Sequence, residues 1–186
     1  MKRLLLMTSV LMTIAVNGHA QKWSLSTNAF DWAMLGTVNL EAQVSVARHI
    51  SIDAGARYNP WKFDTSNPHL TIQNRQTTFY AGIRYWPWYV FSGWWIAAKG
   101  QYGSFHRSGI WRPAFEEGTA AGGGLSLGYT FMLNEHINLD IGAGAWGGRK
   151  LKRTLYDCPS CLNIREEGPK NFIDLDDITV SFLYVF

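Results

Sequence analysis

The segment "FHRSGIWRPAFEE", residues 105–117, carries side chains that together could hydrolyse an ester. His106 and Ser108 stand two residues apart, so on an extended chain they share one face. Glu116, or its neighbour Glu117, follows in the same stretch and could orient the imidazole. A serine whose proton is taken by a histidine, itself held by a carboxylate, is chemically sufficient for acyl transfer. The same residue types are ordinary in a polar loop, and no oxyanion donors can be read from sequence. Cys158 and Cys161 form a second constellation around Pro159-Ser160. A redox pair of this spacing belongs at a helix start in a thioredoxin-like unit, and none surrounds it. A zinc site needs further ligands, but His49, His69, His106 and His136 keep no fixed spacing to the pair. The expected state is a local disulfide, in keeping with an exported chain, and modest in effect because it closes a short loop. Neither a metal nor a cofactor is expected.

The chain begins with "MKRLLLMTSVLMTIAVNGHA". Lys2 and Arg3 precede an apolar run from Leu4 to Val16, and Gly18-His19-Ala20 forms a small-x-small cleavage site. This is the pattern of a secretory signal, and the run is too short to cross a bilayer as a helix. Residues 1–20 are read as a cleaved signal peptide and residues 21–186 as one domain. Losing Lys2 and Arg3 takes the formal charge from +3 to +1, so nucleic acid is not an expected partner. Charged residues make up 17% of the chain, below the roughly 25% of ordinary soluble domains.

After Gln21 the hydrophobic period is two. Val38, Leu40, Ala42, Val44 and Val46 oppose Asn39, Glu41, Gln43 and Ser45; Ile50, Ile52, Ala54, Ala56 and Tyr58 oppose Ser51, Asp53, Gly55 and Arg57. The same rhythm runs through residues 79–85, 94–102, 124–131, 137–145 and 178–186, and "KWSLSTNAF" adds a first run. Eight strands of about ten residues suit a bilayer crossing. Connections near 48–49, 87–92 and 132–136 are short, while those near 59–74, 105–117 and 149–172 are long. The polar face is mostly Gly, Ser, Thr, Asn and Gln, which suits the inside of a narrow tube better than a water-facing sheet. The expected fold is all-β: an eight-stranded antiparallel up-and-down transmembrane β-barrel of OmpA/OmpX-like size.

That frame assigns the remaining side chains. Glu41, Asp53, Arg57, Arg84, Lys99 and Asp140 face inward, three acids with three bases. Buried charges must be paired or hydrogen-bonded, so they are expected to form a network that plugs the tube. "YWPWYVFSGWW", residues 85–95, spans a short turn. Tyr85, Trp86, Trp88, Tyr89, Trp94 and Trp95 are expected in an aromatic girdle at the membrane interface. Arg149, Lys150, Lys152 and Arg153 are placed at the outer end of the seventh strand, where they would meet lipopolysaccharide phosphates.

"LSTNAF", "NLEAQVSV", "YNPW", "IRYWPW" and "GGGLSLGYTF" resemble an uncharacterised family of small Bacteroidota-type outer-membrane β-barrels, classed as a domain of unknown function. The final strand, with Phe182, Tyr184 and Phe186, resembles the signal read by the barrel-assembly machinery. The resemblance implies an outer-membrane location and brings no catalytic residues. The His-x-Ser pair with a downstream Glu resembles the arrangement in outer-membrane lipid A deacylases, which makes a lipid-modifying esterase the alternative reading, with small-solute transport a weaker one. The expected role is structural, accessory or recognition, through the outer loops, with membrane lipid and lipopolysaccharide as neighbours and an outer-membrane protein as a possible partner.

Overall fold

A computed structural model describes residues 22–64, 71–109, 112–157, 163–175 and 178–186. The expected signal peptide, His69 and the Cys158–Cys161 pair lie outside the described residues. The strands are β1 (Trp23–Asn28), β2 (Val38–Ala47), β3 (Ile50–Asn59), β4 (Lys62–Asp64), β5 (Thr71–Tyr85), β6 (Gly93–Gly109), β7 (Arg112–Met132), β8 (Ile137–Tyr156), β9 (Ile164–Glu167), β10 (Lys170–Asp174) and β11 (Thr179–Val185), with one short helix, α1 (Ala29–Ala33). The protein is all-β, and its antiparallel sheet closes into a ring of eight strands. The ring runs β1-β2-β3-β5-β6-β7-β8-β11 and back to β1; β4, β9 and β10 are attached to β5 and β8 at one end.

Closure follows from alternation kept in register. Leu40 stands opposite Ala56, Ala56 opposite Phe79, Phe79 opposite Tyr102 and Tyr102 opposite Ala121, so outward residues meet outward residues across five strands. Small residues line the inward side of β7 and β8, where Gly124 pairs Trp146 and Gly128 pairs Gly142. The short turns at 48–49, 86–92 and 133–136 gather at one end with both described termini, where Phe186 N donates to the Trp23 carbonyl at 2.9 Å.

Three expectations need correction. The first strand stops at Asn28, whose side chain accepts from Phe30 N and caps α1. An Asn N-cap followed by Asp31 in the first turn favours a helix. Secondly, β5 to β8 are 15, 17, 21 and 20 residues long, against the expected ten. Most of the described residues in the "loops" at 105–117 and 149–172 are strand, and β6, β7 and β8 project beyond the ring as a sheet. Thirdly, the four bases of 149–153 lie toward the far end of β8, the seventh strand of the ring, but they face both ways. Leu151 is extra at a bulge, where Ala120 pairs Lys150 and Thr119 pairs Lys152. An inserted residue flips the alternation, so Lys150 and Arg153 both point inward while Arg149 and Lys152 are exposed outward.

Candidate functional site

Inside the ring three layers stack from the turn end to the projecting end. The lowest is a plug of aromatic side chains. Trp86, Phe91, Trp95, Ala97 and Val185 pack together, all nearly inaccessible. Trp86 and Trp95, expected in the outer girdle, are therefore inside. Strand parity explains it: Trp86 follows Arg84 by two and Trp95 precedes Lys99 by four, so both share the inward face with a charge. Tyr85, Trp88, Tyr89 and Trp94 are exposed on the outside. Each buried indole finds a partner, as burial requires: Trp86 Nε1 donates to Ser51 Oγ at 2.9 Å, and Trp95 Nε1 to Asp140 Oδ1 at 2.5 Å. Phe91 takes a left-handed backbone (φ 68°), a cost of about 1–2 kcal/mol for a non-glycine residue. Its ring meets Trp86 edge-on at 6.1 Å and its carbonyl accepts from Asn138 Nδ2 at 2.8 Å, which offsets that cost. His49 Nδ1 lies 3.0 Å from the Trp86 carbonyl and His136 Nδ1 3.1 Å from that of Val185, bracing the same end.

Above the plug sit the predicted charges. Arg84 is central: Nη1 to Asp140 Oδ2 is 2.6 Å and Nη2 to Glu41 Oε1 is 3.3 Å. Its guanidinium also lies 4.2 Å from the Trp95 ring centroid, a cation–π contact that seals the first layer to the second. Lys99 Nζ stands 3.6 Å from Glu41 Oε2. Asp53 is fully buried beside Gly82, whose missing side chain leaves room for both the Asp53 carboxylate and the Lys99 stem. Arg57 lies one level higher and pairs with Asp31 on α1 at 3.0 Å, a partner the sequence reading did not identify.

The third layer is a cup at the projecting end, a cavity of about 380 Å³ lined by Arg57, Arg107 and Lys150, by amides such as Gln76 and Gln101, and by Phe105, Trp146 and Phe172. Its wall is braced by an acid–base hub. Glu116 Oε1 accepts from Lys150 Nζ at 2.7 Å and from Arg153 Nε at 2.5 Å, and Arg153 Nη1 reaches Glu166 Oε2 at 2.6 Å.

This hub decides the hydrolase geometry. Glu116 points inward and is held by Lys150 and Arg153, so it does not join His106 and Ser108 on the outer face. The acid that faces His106 is Glu117, opposite it across the ladder, with Oε2 3.6 Å from Nε2. Glu117 also accepts from Tyr156 at 3.3 Å, and the His106 ring stacks on Phe115, which stacks on Tyr156. The histidine is thus part of an aromatic ladder that ties β6, β7 and β8 together above the ring.

Burial alone would raise the Glu116 carboxyl, but hydrogen bonds from Lys150 and Arg153 outweigh it and hold the group below its ordinary value of 4.5. Glu166 is lowered mainly by its hydrogen bond from Arg153. A carboxylate with a depressed folded-state value stabilises the fold fully above the unfolded value and loses that contribution as pH falls through the folded one. Amide exchange in residues 114–120 and 150–156 is therefore expected to be flat from about pH 7 to 5 after correction for intrinsic rates. It should accelerate below about pH 4, more in wild type than in Glu116→Gln, which has already lost the linkage.

Residues 4–186 match the family model described as "Protein of unknown function (DUF3575)". No curated protein matches the chain.

Proposed function

For a chain that belongs to the DUF3575 family, we propose the function of a small outer-membrane β-barrel with a closed interior, an accessory or recognition protein that works through its outer end. The observation that carries this reading is the height of the outward apolar band. On β3 it runs from Ile50 to Tyr58, on β6 from Trp94 to Tyr102, on β8 from Ile137 to Ala145, and on the last strand from Ile178 to Phe186. Each is about nine residues, the span of a tilted strand in hydrocarbon. Above it the outward series turns polar, with Ser104, His106 and Ser108 on β6 and Glu117 and Thr119 on the neighbouring β7. A soluble monomer does not carry an apolar surface that circles the whole molecule.

Trp23, Tyr85, Trp88 and Trp94 rim the turn end, and Tyr58, Trp61, Phe79 and Tyr102 the other, in keeping with two interfacial girdles. Arg149 and Lys152, outward above the band, would meet lipopolysaccharide phosphates. Phe182, Tyr184 and Phe186 face outward on the closing strand, as a signal read by the assembly machinery would require. Export requires a leader, the role assigned to residues 1–20. The buried aromatic cluster and the ion pairs above it support a closed interior, and the proposed activity lies in the cup and the projecting sheet, not in conduction.

The processed chain is expected to need detergent for extraction from outer-membrane fractions. It should also migrate differently on gels before and after boiling, as closed β-rings do when they resist unfolding by the gel detergent. A chain that stays monomeric in buffer without detergent would sink the proposal.

A further inference from the structure

Among the described residues, the strand wall of the cup is interrupted on one side. β1 has only six residues, and its pairing with β11 ends at Asn28 opposite Ser181. There Asn28 closes the ladder: Nδ2 donates to the Ile178 carbonyl at 2.9 Å, and Oδ1 accepts from Val180 N at 3.0 Å as well as capping α1. One bank then departs as a helix while the other continues upward as β10. β10 pairs with β8, and among the described residues no strand covers its other edge. This seam leads into the cup, whose lining includes Met34 from the α1 bank and Leu175 from the β10 bank. Its outer lips are apolar: Trp32 and Met34 on one side, Ile173 and Leu175 on the other, the last two 81% and 82% exposed. Ile173 stands opposite Gly147, at the top of the outward apolar band.

Among the described residues that line the cup, Arg107 is the base that no carboxylate holds. Lys150 is held by Glu116 and Arg57 by Asp31. Arg107 faces Glu116 across the ladder, but that carboxylate is occupied by Lys150 and Arg153. Arg107 Nε is buried without a hydrogen-bond partner, and the guanidinium rests 5.8 Å from the Phe105 ring. A buried cationic donor in that state gains from any anion that reaches it. Beside it Trp146 and Phe172, edge to face at 4.4 Å, supply an apolar wall.

We propose that the cup binds a single-chain amphipathic anion, a carboxylate or phosphate head on one acyl chain, admitted through the seam between α1 and β10. The head sits on Arg107 and the chain lies along Trp146 and Phe172. A volume of about 380 Å³ lies within the range of small-ligand pockets, roughly 300–1,000 Å³, and fits one chain, not the several of a whole membrane lipid. The inference rests on the membrane reading above, since an apolar side entrance is of use only where it opens on lipid.

The test uses the processed chain in phosphatidylcholine nanodiscs, with palmitate carrying a diazirine as photoprobe and its methyl ester as the uncharged control. The acid is expected to label α1, β10 and the Trp146 region, and the ester to leave them unlabelled. Arg107→Gln should cut labelling about tenfold, the loss of one charge-assisted contact. Leu175→Trp, which narrows the seam without touching Arg107, should cut it as well and serves if the first variant does not fold. Suppression by unlabelled palmitate identifies a fatty acid, and suppression by lysophosphatidic acid a phosphate head; either supports the shared chemistry. Equal labelling by acid and ester, labelling confined to the outward band, or no loss in either folded variant would overturn it. A chain that never enters the nanodisc instead defeats the membrane reading, so the two failures are distinguishable.

Discussion

Replacing Arg84 by Met is expected to lower the unfolding free energy by about 3–5 kcal/mol, because it removes one partner from a buried ion cluster and strands the others. Met matches the stem of arginine in length, so the change tests charge more than volume. Glu41 would keep Lys99 at 3.6 Å, and Asp140 would keep donors from Trp95 and from Thr130, whose Oγ1 lies 3.1 Å away. What disappears is the positive charge common to both carboxylates and the cation over Trp95. The double variant Arg84→Met/Asp140→Asn should recover part of the loss, the coupling expected of groups in one network. Unfolding by urea in lipid vesicles, followed by tryptophan emission, measures both. Planar bilayers should show no new current, because the aromatic layer below the charges stays in place; a stable Arg84→Met that conducts would refute the plug.

Much of this architecture was legible because a strand reports its two faces every second residue. Parity assigns six charges to the inward face, and the structure brings Glu41, Arg84, Lys99 and Asp140 of them into one cluster. Parity also puts Trp95 with Lys99 and, extended one residue past the run at 79–85, Trp86 with Arg84. They were assigned to the interface because the density of aromatics in 85–95 outweighed the alternation, and there the more local signal was the better one. Other features left no trace that alternation could carry. The bulge at Leu151 puts Lys150 and Arg153 on one face, although a simple period would separate them. Strand length was underestimated for a related reason. Hydrophobicity ends with the apolar band, whereas backbone pairing continues through polar residues such as His106 opposite Glu117. Of the two acids offered to His106 and Ser108, Glu116 turns inward and Glu117 stands opposite His106, a choice set by a register between two strands that no local pattern states. Asp31 was hidden by the five-residue helix that carries it.

Trp95 is expected to be the most costly aromatic in the plug, and its cost should depend on two glycines. Gly128 and Gly142 pair across β7 and β8, and a Cβ at either would lie 2.4 Å and 2.7 Å from the Trp95 ring. The indole therefore lies flat on bare backbone, a close approach that only glycine permits. Truncation to Ala should destabilise by about 3–5 kcal/mol, the range for emptying a large buried aromatic site. It also takes from Asp140 its shortest hydrogen bond and from Arg84 its nearest ring. Gly142→Ala should cost about 1–3 kcal/mol in the wild type by overpacking, because the new methyl must displace the ring. In the Trp95→Ala background the ring is gone and the Leu127 carbonyl, 2.8 Å from the new Cβ, is the close contact that stays, so the cost should fall in part, leaving a coupling of about 1 kcal/mol between neighbours in contact. Additive costs in vesicle unfolding would mean that the tryptophan does not lie on the glycines. The inward assignment of the second half of the aromatic segment would then fail, and with it the closed floor beneath the charge cluster.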